Sequence, residues 1–510
     1  MSAPIVKTRM FDYTRIEMIE KVVRDGFCSG CGACAHAGDA GMIINQFGEY
    51  QPDLAALRIS QGRLEASALS AVCPFLHPEL NEDVLAAPLY GDSCEHDSRI
   101  GYYAAIYAGY VKESDYRTRG TSGGLGTWIG AELLRLGKID GVIHVKPVST
   151  RKPGGPFFEY GISRSLDEIQ AGAQTRYHAV EISEAMAEVV ASPGRYLFIG
   201  LPCFCKAVRR LQQRDATIRQ RIPFVVSLVC GHLKSMHWTL ALAWAAGIPP
   251  DQLETFQFRT KGPGISAEAY VFTATPRTAK PVQRNGSLVP GGKWNTCALM
   301  LNACDYCDDV VGETADLSIG DAWLPKYVTD PNGTNLIIVR NAELGRVLVA
   351  AATEDRLLLE PLTADAAAES QRGGLRHRRD GLSYRLAKAR AEGRDVPVKR
   401  VKPGAIPVTQ RQQEIFDART AFATASRKAF REALDSNDYS VFVRNMRTHE
   451  DRFRKLELSS TLLRRILFTV FSEAILRQVL EVRRTLPYRL LSFFKSEWAL
   501  LRGRLLHRKK

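Results

Sequence analysis

Three features that would assign a compartment or an architecture are missing from this 510-residue sequence. It has no run of about 18 uncharged apolar residues, which a membrane-spanning helix requires. Its charged N-terminus lacks the apolar core of about 7–15 residues found in a secretory signal. No internal repeat is present, and 45% of the residues are hydrophobic. We therefore expect a cytoplasmic protein with two or three folding units.

Acidic residues are scarce in the last part of the chain. Residues 371–510 contain 33 Lys and Arg against 14 Asp and Glu, whereas residues 1–370 contain 36 against 41. The net charge of +14 therefore belongs to the C-terminal part. A basic chain often binds nucleic acid, but here the main body is acidic. No nucleic acid is expected as a partner.

A disulfide framework is not expected, because the 11 cysteines are odd in number and no export signal precedes them. The stretch "CSGCGAC" instead has the spacing of iron–sulfur ligands, with small residues between three cysteines: Cys28, Cys31 and Cys34. The fourth position of a local bacterial ferredoxin motif is occupied by Gly38. Cys73, which precedes a proline, is the predicted fourth ligand, and Cys94 is the alternative.

A second group of cysteines lies farther along the chain. Cys203 and Cys230 each come at or just after the end of an apolar run that is typical of a strand. Both should lie at the carboxyl edge of a parallel sheet, where open α/β folds bind ligands. The pair Cys304 and Cys307 would complete four thiols. Zinc is the alternative to an iron–sulfur cluster in either group. Two more cysteines are expected to be buried small apolar residues: Cys205 and Cys297.

The predicted fold class is α/β, with three domains. Residues 1–98 have the composition of a small, loop-rich module. In residues 99–370, short apolar runs alternate with helix-length segments, which favours a mostly parallel sheet. Two β-rich stretches, 254–260 and 268–276, predict a small antiparallel insertion. Residues 371–510 are predicted to form a basic α-helical extension.

The role of the basic extension is left open by the sequence. In residues 461–506, clusters of Leu, Phe and Ile alternate with Arg. Such helices lie on an anionic inner-membrane surface, dock on a partner protein, or pack on the body of their own chain.

Several separated stretches together resemble the family of coenzyme F420 hydrogenase/dehydrogenase beta subunits, which also includes chlorophyll-pathway ferredoxin-dependent reductases. They follow the family's order over about residues 25–345. The stretches are "CSGCGAC" with "CP", "RGTSGGLGTWIGAELLRLGKIDGVI", "FIGLPCFCKAVRRL", "LVCGH", "CDYCDDVVGETADLSIGDAW" and "GTNLIIVR". Their order along the chain is more specific than any one of them.

The resemblance implies an iron–sulfur flavoprotein oxidoreductase with FAD in the α/β domain and two [4Fe-4S] clusters. Four cysteines match the ligands of a cluster in an N-terminal ferredoxin-like module: Cys28, Cys31, Cys34 and Cys73. Four others match the ligands of a cluster beside the flavin: Cys203, Cys230, Cys304 and Cys307.

The resemblance also implies residues that contact the flavin. Small residues before a helix expose N–H groups to an anion or a ring carbonyl, and the matching positions are Arg119, Thr121, Ser122, Gly123 and Gly124. Further cofactor or substrate neighbours are expected at Gln174, Arg176, Tyr177 and Asn335. His178 and Tyr177 are the candidate catalytic proton donors, with His232 as a third.

The expected electron path begins at a ferredoxin-like donor. It passes through the two clusters and FAD to a small organic substrate, with coenzyme F420 as a possible partner cofactor. The reverse direction is equally compatible. One alternative is a non-catalytic electron-relay subunit that docks through its basic tail. Another is a membrane-associated accessory protein of surface-polysaccharide biosynthesis.

Overall fold

The structure is a computed structural model that describes residues 15–60, 66–152, 154–262, 265 and 270–458. The chain divides into two units, Met1–His449 and Glu450–Lys510. Of the second unit, the described residues are the end of the last helix. Across the described ranges, no helix has both the length and the apolar character needed to cross a membrane.

The described elements alternate between strands and helices over much of the chain. The strands are β1 (Met42–Ile44), β2 (Tyr50–Pro52), β3 (Glu95–Asp97), β4 (Gly101–Tyr103), β5 (Ala105–Val111), β6 (Gly141–Pro147), β7 (Phe158–Ser163), β8 (Tyr196–Gly200), β9 (Phe224–Leu228), β10 (Leu253–Gln257), β11 (Val271–Pro276), β12 (Val282–Asn285), β13 (Leu317–Asp321), β14 (Asn335–Val339) and β15 (Leu357–Pro361). The helices are α1 (Arg15–Arg24), α2 (Ala33–Ala37), α3 (Leu54–Ile59), α4 (Ala66–Ala71), α5 (Glu82–Tyr90), α6 (Tyr116–Arg119), α7 (Leu125–Arg135), α8 (Leu166–Ala171), α9 (Ser183–Ala191), α10 (Pro202–Arg214), α11 (Ala216–Arg221), α12 (Met236–Ala245), α13 (Ala342–Thr353), α14 (Ala364–Ser370), α15 (Arg372–Arg378), α16 (Asp380–Ala391), α17 (Gln410–Asp435) and α18 (Tyr439–Leu458).

The central sheet has the strand order β15–β5–β14–β13–β9–β8–β6–β7. β6, β8, β9 and β13 are parallel neighbours, and the other pairings are antiparallel. Five of the eight strands run in one direction, which agrees with the predicted α/β fold. β7 and β14 follow their neighbours β6 and β13 without an intervening helix, and this connection suits antiparallel pairing.

The sheet is buried on both faces. β8 and β14 are buried along their whole length, as expected for strands covered on either side. On one face, Ile337 of β14 packs in a cluster with Trp128 of α7. On the other face, the neighbouring Leu336 packs in a cluster with Val310. The alternation along β14 places successive side chains in two separate cores.

The predicted antiparallel insertion is confirmed as a separate sheet. β10 pairs with β11, and β11 pairs with β12, all antiparallel. The third strand, β12, was not expected from the sequence.

The described start of the basic extension packs on the body of the chain. α17 begins with a capping box formed by Thr409 and Gln412. Its buried face includes Phe416, Phe422 and Phe430. Packing on the body is therefore one role of the extension, while residues 461–506 lie outside the described residues.

Candidate functional site

A cavity of about 220 Å³ opens at the carboxyl edge of the parallel strands. The ends of β8, β9 and β13 and the start of β14 form one wall, with Gly200, Cys230, Asp321 and Asn335 lining it. Open α/β sheets bind ligands at this edge. The cavity is therefore the candidate ligand site.

The turn before α7 forms another wall, which includes Thr121, Ser122 and Gly124. Gly124 has a φ of +89°, and an added Cβ would lie 2.7 Å from the Tyr116 backbone. Asn335 fastens the turn to the sheet. Its Oδ1 accepts a hydrogen bond from Leu125 N (3.2 Å), and its Nδ2 donates one to Gly320 O (3.1 Å).

Two predicted members of this turn do not line the cavity. Gly123 packs against Asn335, where an added Cβ would lie 2.6 Å from Oδ1. Arg119 is exposed and donates hydrogen bonds to Asp115 (3.4 Å) and Gln170 (3.1 Å). Arg119 was predicted to contact a cofactor. In the structure its side chain binds these surface partners instead, because α6 ends at this residue.

Gln174 and Arg176 both line the cavity. Gln174 has a φ of +87°, and its Oε1 accepts a hydrogen bond from Arg176 Nη1 (3.1 Å). Burial lowers the pKa of Arg176 to about 10. In the described part of the chain, no carboxylate forms an ion pair with this guanidinium. Arg176 therefore offers a positive charge to an anionic ligand.

His178 has both ring nitrogens engaged by the protein. Its Nε2 accepts a hydrogen bond from Phe157 N (3.4 Å), which leaves Nδ1–H to donate to Thr239 Oγ1 (2.9 Å). Burial lowers its pKa to about 3. The predicted role as proton donor does not fit this geometry, since the neutral ring has no free N–H. His178 instead holds the 157 and 239 segments together.

Aromatic rings surround Tyr177 in the cavity wall. The Tyr177 and Trp294 ring centroids are 4.7 Å apart, and the His232 ring stacks on Trp294 at 4.0 Å. Burial lowers the pKa of His232 well below its usual value, so this ring is neutral. Burial raises the pKa of Tyr177, which keeps its hydroxyl protonated. The wall thus combines flat apolar surfaces with one protonated hydroxyl.

Two charged features of the wall were missed by the sequence predictions. Lys234 is fully buried, and its Nζ donates to Ala298 O (2.5 Å). Arg259 donates from Nη1 to Asp321 Oδ2 (2.9 Å). In the sequence, the one feature that marks Lys234 is its position two residues after the "LVCGH" stretch.

Cys203, Cys230, Cys304 and Cys307 line one small void of about 20 Å³, together with Arg378. Cys203 lies near the N-terminus of α10, Cys230 follows β9, and the other two lie on the loop before β13. Leu233 N donates a hydrogen bond to Cys304 Sγ (3.2 Å). Burial raises the pKa of Cys230 to about 11 and that of Cys304 to about 12. Burial therefore favours the protonated thiols, and a bound cation would favour the thiolates.

The other four thiols also lie together. Burial raises the pKa of Cys34, and the nearby charges of Cys31, Cys28 and Cys73 raise it further. Gly30 N donates a hydrogen bond to Cys28 Sγ (3.4 Å). Cys94 is elsewhere, with its Sγ donating to Arg340 O (3.4 Å). The structure thus brings Cys73, and not Cys94, to the "CSGCGAC" loop.

Arg210 explains how Cys73 reaches that loop. This arginine of α10 is 1% exposed. Its guanidinium donates hydrogen bonds to the carbonyl oxygens of Cys73, Leu76, His77 and Leu80. One buried cation therefore fixes the whole "CPFLHPEL" turn.

The two thiol groups are neighbours. Burial raises the pKa of Cys203, and the charge of Cys31 contributes to the same increase. Ile182 N, at the start of α9, donates to Cys31 O (3.0 Å) and anchors the first group to the α/β body. Cys205 and Cys297 are both buried, as expected, and Cys205 Sγ donates to Val226 O (3.6 Å).

In the described residues, no three His, Cys, Asp or Glu side chains converge on the position of a single metal ion. The four thiols line the small void. Thiol ligands of this number hold either an iron–sulfur cluster or a zinc ion.

An α/β fold with two adjoining groups of four thiols, one of them beside a ligand cavity, is typical of an oxidoreductase. The chain belongs to the family of coenzyme F420 hydrogenase/dehydrogenase beta subunits. The family model for the N-terminal part of the beta subunit matches residues 106–187, and the model for its C terminus matches residues 194–365. Hydrogenases and dehydrogenases transfer electrons, so membership agrees with the class.

One relative is a subunit of the F(420)H(2) dehydrogenase of Methanosarcina mazei. It is 20% identical over 337 residues, which cover 64% of this chain and 82% of the relative. A solved chain of the F420-reducing [NiFe] hydrogenase complex from Methanosarcina barkeri is 16% identical, with a TM-score of 0.44. That match covers 58% of this chain and 96% of the solved chain.

Proposed function

We propose that the chain is an iron–sulfur flavoprotein that transfers electrons between two [4Fe-4S] clusters, FAD and an organic substrate or the deazaflavin coenzyme F420. The observation that carries the proposal is the position of Cys230, which lines both the four-thiol void and the large cavity. A cluster held by Cys230 would adjoin a ligand in the cavity. When bound, FAD couples one-electron carriers to two-electron chemistry.

A ferredoxin-like donor is proposed to exchange electrons with the first thiol group, which consists of Cys28, Cys31, Cys34 and Cys73. Cys28 is half-buried, whereas Cys31, Cys34 and Cys73 are buried. Cys28 therefore gives this group its nearest approach to the surface. Electrons can enter or leave here, because the arrangement of residues does not impose a direction.

The cavity residues support a planar, anionic ligand. The turn at Thr121 and Ser122 and the guanidinium of Arg176 would hold anionic or carbonyl groups. The rings of Tyr177 and Trp294 would pack on a planar ring system.

Tyr177 and Lys234 are the proposed proton donors, in place of His178. The raised pKa of Tyr177, caused mainly by burial, keeps its proton available. Burial lowers the pKa of Lys234 to about 7, where an amine exchanges protons readily near neutral pH.

A second candidate function is electron relay within a larger complex. The name of the Methanosarcina mazei relative identifies that protein as a subunit. The two candidates differ in one measurement, which is turnover of a substrate or F420 by the purified chain with a soluble donor alone. Turnover without a partner supports the enzyme, and its restoration only by a partner protein supports the relay.

The proposed compartment is the cytoplasm. All 11 cysteines are free, and eight of them form the two thiol groups. Reducing compartments preserve such thiols.

Anaerobic purification with quantitation of iron, sulfide and flavin tests the cofactor content. We expect about eight irons and about one FAD per chain, from two four-iron clusters. Zinc in place of iron, without visible absorbance, would contradict the proposal.

Matched cysteine variants test the ligand assignment. Cys73→Ala should lose roughly one cluster, or about four irons, whereas Cys94→Ala should lose none. Cys203→Ala and Cys205→Ala form a second pair, and only the first should lose iron. Iron loss from Cys94→Ala, with retention in Cys73→Ala, would reverse the assignment.

A further inference from the structure

Arg378 is a buried cation that the C-terminal extension adds to the second thiol group. It ends α15 and is 2% exposed. The matched family regions end at residue 365, so Arg378 lies beyond them. The extension therefore contributes directly to a site that the family region otherwise builds.

The guanidinium is fixed against one of the four thiols. Arg378 Nη2 lies 3.7 Å from Cys230 Sγ and donates to Gly231 O (2.7 Å). Nε donates to the same carbonyl oxygen (3.2 Å). These contacts hold the planar group in one orientation beside the void.

Sulfur is the group placed to balance the charge of Arg378. Within the described ranges, no carboxylate forms an ion pair with this guanidinium. It lies beside Cys230 Sγ and lines the void together with all four thiols. A buried cation without such a partner would be strongly unfavourable. The pocket around Arg378 is therefore matched to an anionic sulfur group.

We propose that Arg378 is a positioning residue that raises the reduction potential of the cluster held by Cys203, Cys230, Cys304 and Cys307. This inference rests on the proposed function, because it requires that cluster. Reduction adds one electron and neither makes nor breaks a bond. A fixed positive charge stabilises the more negative reduced state, and hydrogen bonds to ligand sulfurs act in the same direction. The extension thereby sets the potential of the cluster nearest the cavity.

The test is a redox titration of the anaerobically purified full chain, with dithionite as reductant and EPR as the readout. Arg378→Gln should lower the midpoint potential of one cluster and leave the other unchanged. Arg376→Gln, an exposed arginine of the same helix, is the control and should leave both unchanged. Unchanged potentials in Arg378→Gln, with full iron content, would overturn the inference.

Two further measurements separate a failure of this inference from a failure of the proposed function. If Arg378→Gln loses iron, Arg378→Lys decides, because lysine keeps the charge but loses the forked contact with Cys230 and Gly231. Its midpoint should lie below that of the wild type, and a value at or above wild type would overturn the inference. If the wild-type chain itself lacks the second cluster, the proposed function fails, and the iron count shows this before any titration.

Discussion

Lys234 is a fully buried lysine with no carboxylate ion pair in the described part of the chain. Its Nζ lies 4.8 Å from the Trp238 ring centroid and 5.2 Å from that of Trp294. Burial lowers its pKa from 10.5 to about 7. The unfolded chain would keep this proton up to about pH 10.5, whereas the folded protein releases it near pH 7. The free-energy cost of burying the charged lysine therefore has its full value below about pH 7, and it decreases as the pH rises.

Replacing Lys234 by Met should change how stability depends on pH. In the wild type, this residue makes the free energy of unfolding rise by up to about 1.4 kcal/mol per pH unit above about pH 7. Lys234→Met should remove that rise and increase stability near neutral pH. Urea unfolding at several pH values from about 7 to about 9.5 measures it, with the partly exposed Lys138→Met as control. An unchanged slope in Lys234→Met would show that the lysine stays protonated in the folded protein over this range.

Single residues differ in how far their sequence context reveals their role. The thiols were recognisable, because cysteine is rare and its spacing carries the geometry of a ligand set. Arg210, Arg378 and Lys234 were not, since each acts on a segment far from it in sequence. His178 stood in a recognisable motif, but only the fold shows that Phe157 and Thr239 occupy both of its nitrogens.

At the scale of elements, the turn before α7 depends on one left-handed glycine. Gly124 has a φ of +89°, and the Tyr116 and Arg117 backbones leave no room for a Cβ. Two residues later, Gly126 is helical, and its nearest atom to an added Cβ is Leu228 Cδ2 at 3.8 Å. The two glycines therefore form a matched pair, because an added Cβ would clash at Gly124 but has room at Gly126.

Gly124→Ala should destabilise the protein by at least about 1–2 kcal/mol, the cost of the left-handed conformation. The steric contact with Tyr116 adds to this cost. Gly126→Ala should instead stabilise α7 by up to about 1 kcal/mol. Denaturant midpoints of both variants measure the difference, and equal effects would contradict the assigned backbone conformation.

Elements buried on both faces were the easiest to predict. β8, β9 and β14 appear in the sequence as short, mostly apolar runs. β7 and β15 were not predicted, because their burial is mixed and nothing local marks a sheet edge. The antiparallel edges of the sheet follow from pairings between distant segments, which the sequence pattern does not specify.

At the scale of the whole molecule, Arg400 joins three distant parts of the chain. It forms ion pairs with Asp83 (2.8 Å) at the start of α5 and with Glu313 (2.7 Å) before β13. It also lies within ion-pair distance of Glu82 (3.4 Å) and Asp308 (3.5 Å). Burial opposes the charge of Arg400, but these carboxylates raise its pKa overall.

Arg400→Met should destabilise the whole fold, because Glu82, Glu313 and Asp308 each lose one cationic partner. They keep Lys206, Arg379 and Lys399, respectively. The expected loss is up to about 3–5 kcal/mol. Arg394→Met removes an exposed arginine from the same segment between α16 and α17, and it should cost less than about 1 kcal/mol. Guanidinium unfolding of the two variants compares their stabilities, and similar midpoints would contradict the stabilising role of the Arg400 ion pairs.

Buried histidines should make the molecule labile in acid. Burial lowers the pKa of His144 to about 4, of His178 to about 3 and of His237 to about 4. The unfolded chain would bind these protons below about pH 6.5, so stability falls as the pH drops from about 6.5 towards about 4. Each histidine contributes up to about 1.4 kcal/mol per pH unit.

His178→Gln should reduce this acid dependence, although it lowers stability at neutral pH by removing the contact with Thr239. Urea unfolding at about pH 8, about pH 6.5 and about pH 5, with iron content measured at each pH, gives the slopes. His96→Gln, an exposed histidine, is the control. A slope for His178→Gln equal to that of the wild type would mean that His178 does not contribute.

The packing of α15, α16 and α17 over the Cys304–Cys307 loop has a consequence for biosynthesis. Thr420 and Arg385 both bond Asp305 within this loop, and all three helices are translated after it. At about 5–20 residues per second, the ribosome completes α17 roughly 6–25 s after Cys307. During that interval these helices do not yet cover the loop. Loading of the proposed cofactor should therefore be easiest before α15, α16 and α17 pack on it.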